Sequence, residues 1–408
     1  MKPNKTQNGN PGQYRMQQSM RWYGPGDAIA LRDIAQAGAN GVVTALHQVP
    51  VGEVWELRDI QERLKLIEDA GLQWTVVESL PVHEDIKRKR RNCKVYVENY
   101  GQSLRNLAQC GLKVVAYNFM PVLDWVRTQH AHENPDGTKA LRFDWIDFVY
   151  FDVFLLQRPG AEADYSQTQL ELARSHGKNL TEQERQLLFD SVLLGLPGSK
   201  EKFSREGVLG LLEEYRGIDE STLRANLIDF LKQIVPVAEA LGIQLALHPD
   251  DPPFSVLGLP RVVSTQGDLE ELFKAVPATA NGLCYCTGSL GADPNNDLLE
   301  IIDRFGQRIH FLHLRNVRAL GYRQFMESEH LEGDGPMEEI VERLLRMMQQ
   351  RGVSLPMRPD HGFLHSYERE GEQYPGYSLI GRLKGLAELR GLERGIIHRL
   401  KTEPKTDS

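Results

Sequence analysis

Leu245-Ala-Leu-His-Pro-Asp-Asp251, Leu283-Cys-Tyr-Cys-Thr-Gly-Ser289, Ile309-His-Phe-Leu-His-Leu-Arg-Asn316 and Pro356-Met-Arg-Pro-Asp-His-Gly362 share one pattern. Each is a short apolar run that stops at a His, Cys or Asp, and a helix-like stretch separates each from the next. Parallel strands joined by helices bring their C-terminal ends to one face. On that reading a His, a Cys, a second His and an Asp surround one point at the mouth of a barrel. A mixed donor set of this kind suits a divalent metal.

The same alternation extends towards the N-terminus. Met20-Arg-Trp-Tyr23 reads as a first strand, followed by a helix around Ile29–Ala37. Gly41–Leu46, Trp74–Glu78 and Lys113–Asn118 read as the next three strands. Between the second and third, Leu57, Ile60, Leu64 and Ile67 fall on one helical face, and Gly71 stands where that helix ends. A helix near Tyr96–Gln109 precedes the fourth strand. The alternation stops after Asn118 and resumes near residue 220, in a helix with Pro236 as the expected kink. Helices near Leu269–Val276, Leu298–Phe305, Met337–Met348 and Leu379–Leu389 complete the series.

That makes about eight βα units, the number a closed (β/α)₈ barrel needs. The expected fold is therefore α/β, a single (β/α)₈ TIM barrel over residues 20–400. A helical insertion at about 121–217 follows the fourth strand, because no simple loop is so long. It is read as a lid or an oligomer contact. Residues 1–19 and 401–408 are expected to be mobile tails. An open doubly wound sheet is the alternative, but no glycine-rich phosphate loop follows the first strand.

Composition narrows the function. The 408 residues are 41% apolar and 25% charged, enough for a large core. A net charge of −8 disfavours nucleic acid as a partner. No apolar run reaches the ~18 residues of a membrane span. The four cysteines, Cys93, Cys110, Cys284 and Cys286, follow no secretory signal, so the expectation is a reducing cytoplasm. The run Lys87–Arg91 is read as a solvated loop face, and Trp22 and Trp125 as core residues or sugar-stacking platforms.

Nine short strings, in order, resemble the mannonate dehydratase family. They are Arg21–Gly24, Val43–His47, Glu78–Glu84, Tyr117–Trp125, His248–Asp251, Cys286–Ser289, His313–Asn316, Arg358–Gly362 and Pro375–Tyr377. The resemblance spans residues 20 to 395. It implies a xylose-isomerase-like barrel and a metal-dependent lyase of hexuronate breakdown, converting D-mannonate to 2-keto-3-deoxy-D-gluconate and water. The family pattern falls on His313 rather than His310, and an odd separation puts those two on opposite strand faces. The expected metal ligands are then His248, Cys286, His313 and Asp360, with Cys284 as a buried packing residue. The oxygen-rich substrate and the resemblance favour Mn²⁺ or Fe²⁺, while Mg²⁺ seldom accepts sulfur.

Removal of a C2 proton and departure of a C3 hydroxyl need a base and an acid. His361 and Tyr377 are the candidates, with their roles left open. His47, Glu78, Asn118 and Arg315 are expected to line the polar pocket. Arg315 either pairs with the substrate carboxylate or forms a salt bridge at the rim. A homo-oligomer, a dimer or larger, is expected. A sugar isomerase or epimerase on the same barrel, or a non-catalytic sugar-acid-binding barrel, are the rival readings.

Overall fold

The computed structural model describes residues 12–194, 204–368 and 373–402. Eight strands close into a parallel barrel. They are β1 (Gln17–Arg21), β2 (Gly41–Thr44), β3 (Gln73–Glu78), β4 (Val114–Tyr117), β5 (Gln244–Leu247), β6 (Asn281–Cys286), β7 (Ile309–His313) and β8 (Pro356–Arg358). Each pairs with the next in sequence, and β8 returns to β1 through Gln17–Pro356 and Gln18–Met357. One principal helix follows each strand: α1 (Leu31–Gln36), α2 (Leu57–Asp69), α3 (Cys93–Gln109), α4 (Glu220–Leu241), α5 (Gln266–Ala275), α6 (Leu298–Phe305), α7 (Met337–Arg351) and α8 (Leu379–Thr402). The fold is the expected (β/α)₈ barrel.

Periodicity explains how these helices dock. Ile60 and Ile67 of α2 are buried, as are Ile340, Val341, Leu344 and Met348 of α7. Spacings of three, four and seven keep such residues on the face that covers the strands. Asp219 caps α4 by accepting from the Thr222 amide, and Pro236 lies inside that helix, which runs on to Leu241.

The barrel interior carries the functional logic. Val43, Val76, Ala116, Ala246, Cys284 and Phe311, one from each of β2 to β7, form a buried apolar plug. Side chains alternate along a strand, so the residue two positions on also faces inward, one layer nearer the mouth. Those residues are Ala45, Glu78, Asn118, His248, Cys286 and His313. His310, of the other parity, is buried outside the barrel, with Nε2 2.8 Å from the Thr279 carbonyl.

Three details depart from the sequence reading. First, β1 begins at Gln17, ahead of the Met20 start; Ser19 and Met20 are fully buried there. The glutamines concealed this, because they sit at the less buried start of the strand. The outer parts of both expected tails, residues 1–11 and 403–408, lie outside the described residues.

Second, the segment after β4 is not helical alone. It holds helices Trp145–Tyr150, Gln167–Asn179, Glu182–Val192 and Arg205–Glu214, but also two strands, Gln129–Glu133 and Lys139–Phe143. These join Asn316–Gly321 and Gln324–Ser328, which follow β7, in a four-stranded antiparallel sheet. Third, the Lys87–Arg91 run is split. Lys87 is buried, its ammonium donating to Glu84 and to the Met120 carbonyl, both at 2.7 Å. Arg88 pairs with Asp85 and Glu214, and only Lys89, Arg90 and Arg91 are exposed.

The plug should be the most sensitive part of the barrel. Truncating a buried aromatic costs about 3–5 kcal/mol through lost transfer energy and a residual cavity. Phe311→Ala is therefore expected to lower the urea midpoint strongly. Leu66→Ala, on the exposed side of α2, should stay within ~0.5 kcal/mol of the parent. Equal midpoints for the two variants would refute the plug as a stability centre.

Candidate metal centre and active site

Donor atoms of Cys286, His313 and Asp360 lie within 4.8 Å of one another, and so do those of His248, Cys284 and His313. His313 is common to both groups. The Cys286 Sγ and the His313 Nδ1 are each 3.8 Å from Asp360 Oδ2. The His248 and His313 rings are 5.1 Å apart. Of the four residues expected as ligands, three thus form one compact group, and His248 joins through His313.

Hydrogen bonding settles which His248 nitrogen is available. Its Nδ1 lies 2.7 Å from the Pro249 carbonyl, so a proton held there leaves a lone pair on Nε2. His313 is set between partners of opposite demand: Arg358 Nε at 3.0 Å and Glu78 Oε1 at 3.4 Å, both from Nε2. Nε2 accepts from Arg358 Nε, and Nδ1 has no hydrogen-bond partner among the described residues. An orphaned buried nitrogen between a thiol and a carboxylate fits a divalent metal. Asp360 has φ +66°, a left-handed backbone uncommon outside glycine.

Electrostatics separates the two cysteines. Burial pushes the Cys286 thiol up, but the Arg315 guanidinium and the hydrogen-bonded His248 outweigh it and hold the thiol below its ordinary value. Burial in the plug, with Glu78 nearby, instead drives the Cys284 thiol well above its ordinary value. Burial lowers His248, yet Cys286 and the carboxylates Glu78 and Asp360 raise it to about 9. Burial and Arg358 hold His313 well below its usual range.

A buried ion-pair network surrounds these donors. Arg315 reaches Asp251 at 2.5 Å, Asp360 at 2.8 Å, and Glu327. Arg127 reaches Asp251 at 2.6 Å and Glu327 at 3.0 Å. Arg358 holds Glu78 at 2.8 Å and also Asp360, and Arg21 holds Glu78 at 3.2 Å. Burial alone would raise these carboxyl groups, but the arginines keep Glu78, Asp251, Glu327 and Asp360 below the ordinary carboxylate range.

The remaining sequence-derived residues are distributed around this network. His361 has Nδ1 3.1 Å from Glu327 and Nε2 3.8 Å from Asp360. Tyr377 crosses His361 edge-on at 5.1 Å. It follows a turn in which Gly376 has φ +80° and the Tyr377 amide donates to Tyr374 at 2.9 Å, a type II geometry with Pro375 in its preferred place. His47 lies 5.7 Å from Tyr23, its ring nitrogens have no hydrogen-bond partner among the described residues, and it is lowered to about 3 by burial, Arg21 and Arg63.

Asn118 is hydrogen bonded to Asp124. Glu78 and Arg315 are both engaged in protein ion pairs, and Arg315 lies at the centre of the site rather than at its rim. Trp22 is buried under Arg63, whereas Trp125 stacks on His130 and meets His361 edge-on at 6.0 Å. Sequence reasoning missed Arg127, Glu327 and Arg358 as site residues. Only the Phe325, Glu327 alternation in Gln324–Ser328, whose burial alternates in step, signalled an inward face.

Comparison with known proteins adds the family. The model of the family described as D-mannonate dehydratase (UxuA) matches residues 16–403. The chain is 51% identical to a mannonate dehydratase of Chromohalobacter salexigens, over 93% of this chain and 99% of that protein. It is 45% identical to a mannonate dehydratase of Saccharophagus degradans, over 95% and 98%. The crystal structure of mannonate dehydratase from Streptococcus suis serotype 2 superposes with a TM-score of 0.76 at 34% identity, covering 97% of this chain and 98% of that one. A xylose isomerase-like TIM barrel protein from Mycobacterium smegmatis shares the fold, with a TM-score of 0.52 at 15% identity. With the family model matching residues 16–403 and these relatives 51% and 45% identical over more than nine-tenths of it, the chain belongs to the D-mannonate dehydratase family.

Proposed function

We propose that this chain is a metal-dependent hydro-lyase that dehydrates D-mannonate to 2-keto-3-deoxy-D-gluconate and water, a step of hexuronate (glucuronate) breakdown. The observation that carries the reading is the donor group Cys286, His313 and Asp360, with His248 beside His313, next to a buried apolar plug in a chain with near-full-length mannonate dehydratase relatives. These four residues would hold the ion. A bound divalent cation supplies positive charge for the substrate carboxylate and for the negative charge that grows as the C2 proton leaves. We assign Mn²⁺ or Fe²⁺, because one thiolate with imidazole and carboxylate suits either, and a sugar acid offers hard oxygen donors.

The chain's own groups handle the protons. The Nδ1 of His361 is anchored by Glu327, which leaves Nε2 free to exchange a proton. The Tyr377 phenol stands beside it on the rigid turn. One of the pair removes the C2 proton and the other protonates the departing C3 hydroxyl, so that the electron pair of the broken C2–H bond forms the enol and water leaves. His47, whose ring nitrogens have no hydrogen-bond partner among the described residues, would meet a substrate hydroxyl. Burial of the layer, with apolar side chains beneath it, strengthens the charge interactions in it.

We place the enzyme in the cytoplasm as a homo-oligomer. All four cysteines are unpaired, and no helix among the described residues is long and apolar enough to cross a membrane. Leu320 and Tyr322, exposed at a hairpin tip, offer an apolar surface to a second copy.

Three measurements test the reading. Incubating the protein with D-mannonate and Mn²⁺ is expected to yield a 2-keto-3-deoxy acid; recovery of an isomeric or epimeric sugar acid without water loss would overturn the lyase assignment. Cys286→Ser should lose metal on dialysis while Cys284→Ser retains it, since a thiolate binds these ions better than a hydroxyl. Equal retention would remove Cys286 from the ligand set. Tyr377→Phe and His361→Asn should each cut turnover by about 10²–10⁴-fold with metal content unchanged. Metal loss in His361→Asn would instead make that residue a ligand.

A further inference from the structure

A second donor cluster lies outside the mouth, between the segment that leaves the Gln324–Ser328 strand and helix α8. A ring nitrogen of His330 and carboxylate oxygens of Glu329 and Glu388 lie within 4.8 Å of one another. His330 is only 2% exposed, and its Nε2 is 2.8 Å from the Pro359 carbonyl, next to Asp360. An imidazole that donates Nε2–H to that carbonyl keeps its lone pair on Nδ1. That Nδ1 has no hydrogen-bond partner among the described residues, and neither has Oε2 of Glu388. Burial keeps the imidazole below its ordinary value, so the ring is neutral near pH 7.

Two carboxylates cannot donate to a lone pair. A cation satisfies all three donors at once. The backbone is built to allow it: a Cβ at position 385 would sit 2.1 Å from the His330 ring, so glycine lets α8 slide beneath the imidazole. The flanking Lys384 ammonium is 2.5 Å from Glu329 and 3.7 Å from Glu388, on a side chain that is 41% exposed and can swing to solvent.

We propose that Glu329, His330 and Glu388 form a second divalent-cation site, at which the ion competes with the Lys384 ammonium. One imidazole nitrogen and two carboxylates suit Zn²⁺ or Mn²⁺. An ion bound there braces the imidazole that holds the Pro359 carbonyl, and so steadies the turn presenting Asp360 to the mouth.

The test is metal bound per full-length chain, titrated separately with Zn²⁺ and Mn²⁺. The parent protein should take up one more equivalent than Glu388→Gln, whose residual binding at this site weakens by at least about tenfold. Lys384→Met should tighten that same equivalent, because a competitor is gone. Cys286→Ser should keep it, which separates this site from the one at the mouth. Identical stoichiometry and affinity in the parent and Glu388→Gln, weaker or unchanged binding in Lys384→Met, or loss of the Glu388-dependent equivalent in Cys286→Ser would each overturn the proposal.

Discussion

The buried guanidinium of Arg315 holds the site together. It touches Asp251 after β5, Asp360 after β8, and Glu327 from the antiparallel sheet. A charge removed from water at this depth is tolerable only when each partner is satisfied, and loss of one partner in such a pair costs about 3–5 kcal/mol. The three carboxylates are therefore fixed relative to one another through one planar fork, whose geometry a flexible ammonium could not reproduce. Everything that must be positioned at the mouth is referred to it, including the Asp360 oxygen that faces Cys286 and His313.

The same fork explains the segment after β4. Arg127 from that segment grips Asp251, and Glu327 from the hairpin after β7 grips Arg127, Arg315 and His361. The added sheet is thus fastened to the barrel by buried charge as well as by its own apolar cluster, in which Phe143 stacks on Phe325 at 5.7 Å. Neither hairpin is decoration; together they deliver the carboxylate that orients a proposed proton-transfer residue.

What the sequence made legible follows from locality. Short apolar stretches that stop at His248, Cys286 and His313 reveal a strand and its last inward side chain, because parity along a strand is a local property. Pro375-Gly376 reveals a turn for the same reason. Glu327 was not legible. Its role depends on a pairing between strands that lie far apart in the chain, and nothing in Gln324–Ser328 names its partner. Arg315 was visible as a strand-end cation, but sequence cannot say whether a guanidinium meets a substrate carboxylate or three of the protein's own. Lys87 misled because a basic run looks solvated until Glu84 and the Met120 carbonyl are seen to enclose one member of it.

Charge arithmetic ties the network to its ligand. Within the ion-paired set, four arginines, Arg21, Arg127, Arg315 and Arg358, face four carboxylates, Glu78, Asp251, Glu327 and Asp360. That set is neutral, so it neither attracts nor repels an anion strongly by itself. Each of the four arginines is already paired, so under the proposed function the positive charge facing a substrate carboxylate would be that of an ion held by His248, Cys286, His313 and Asp360.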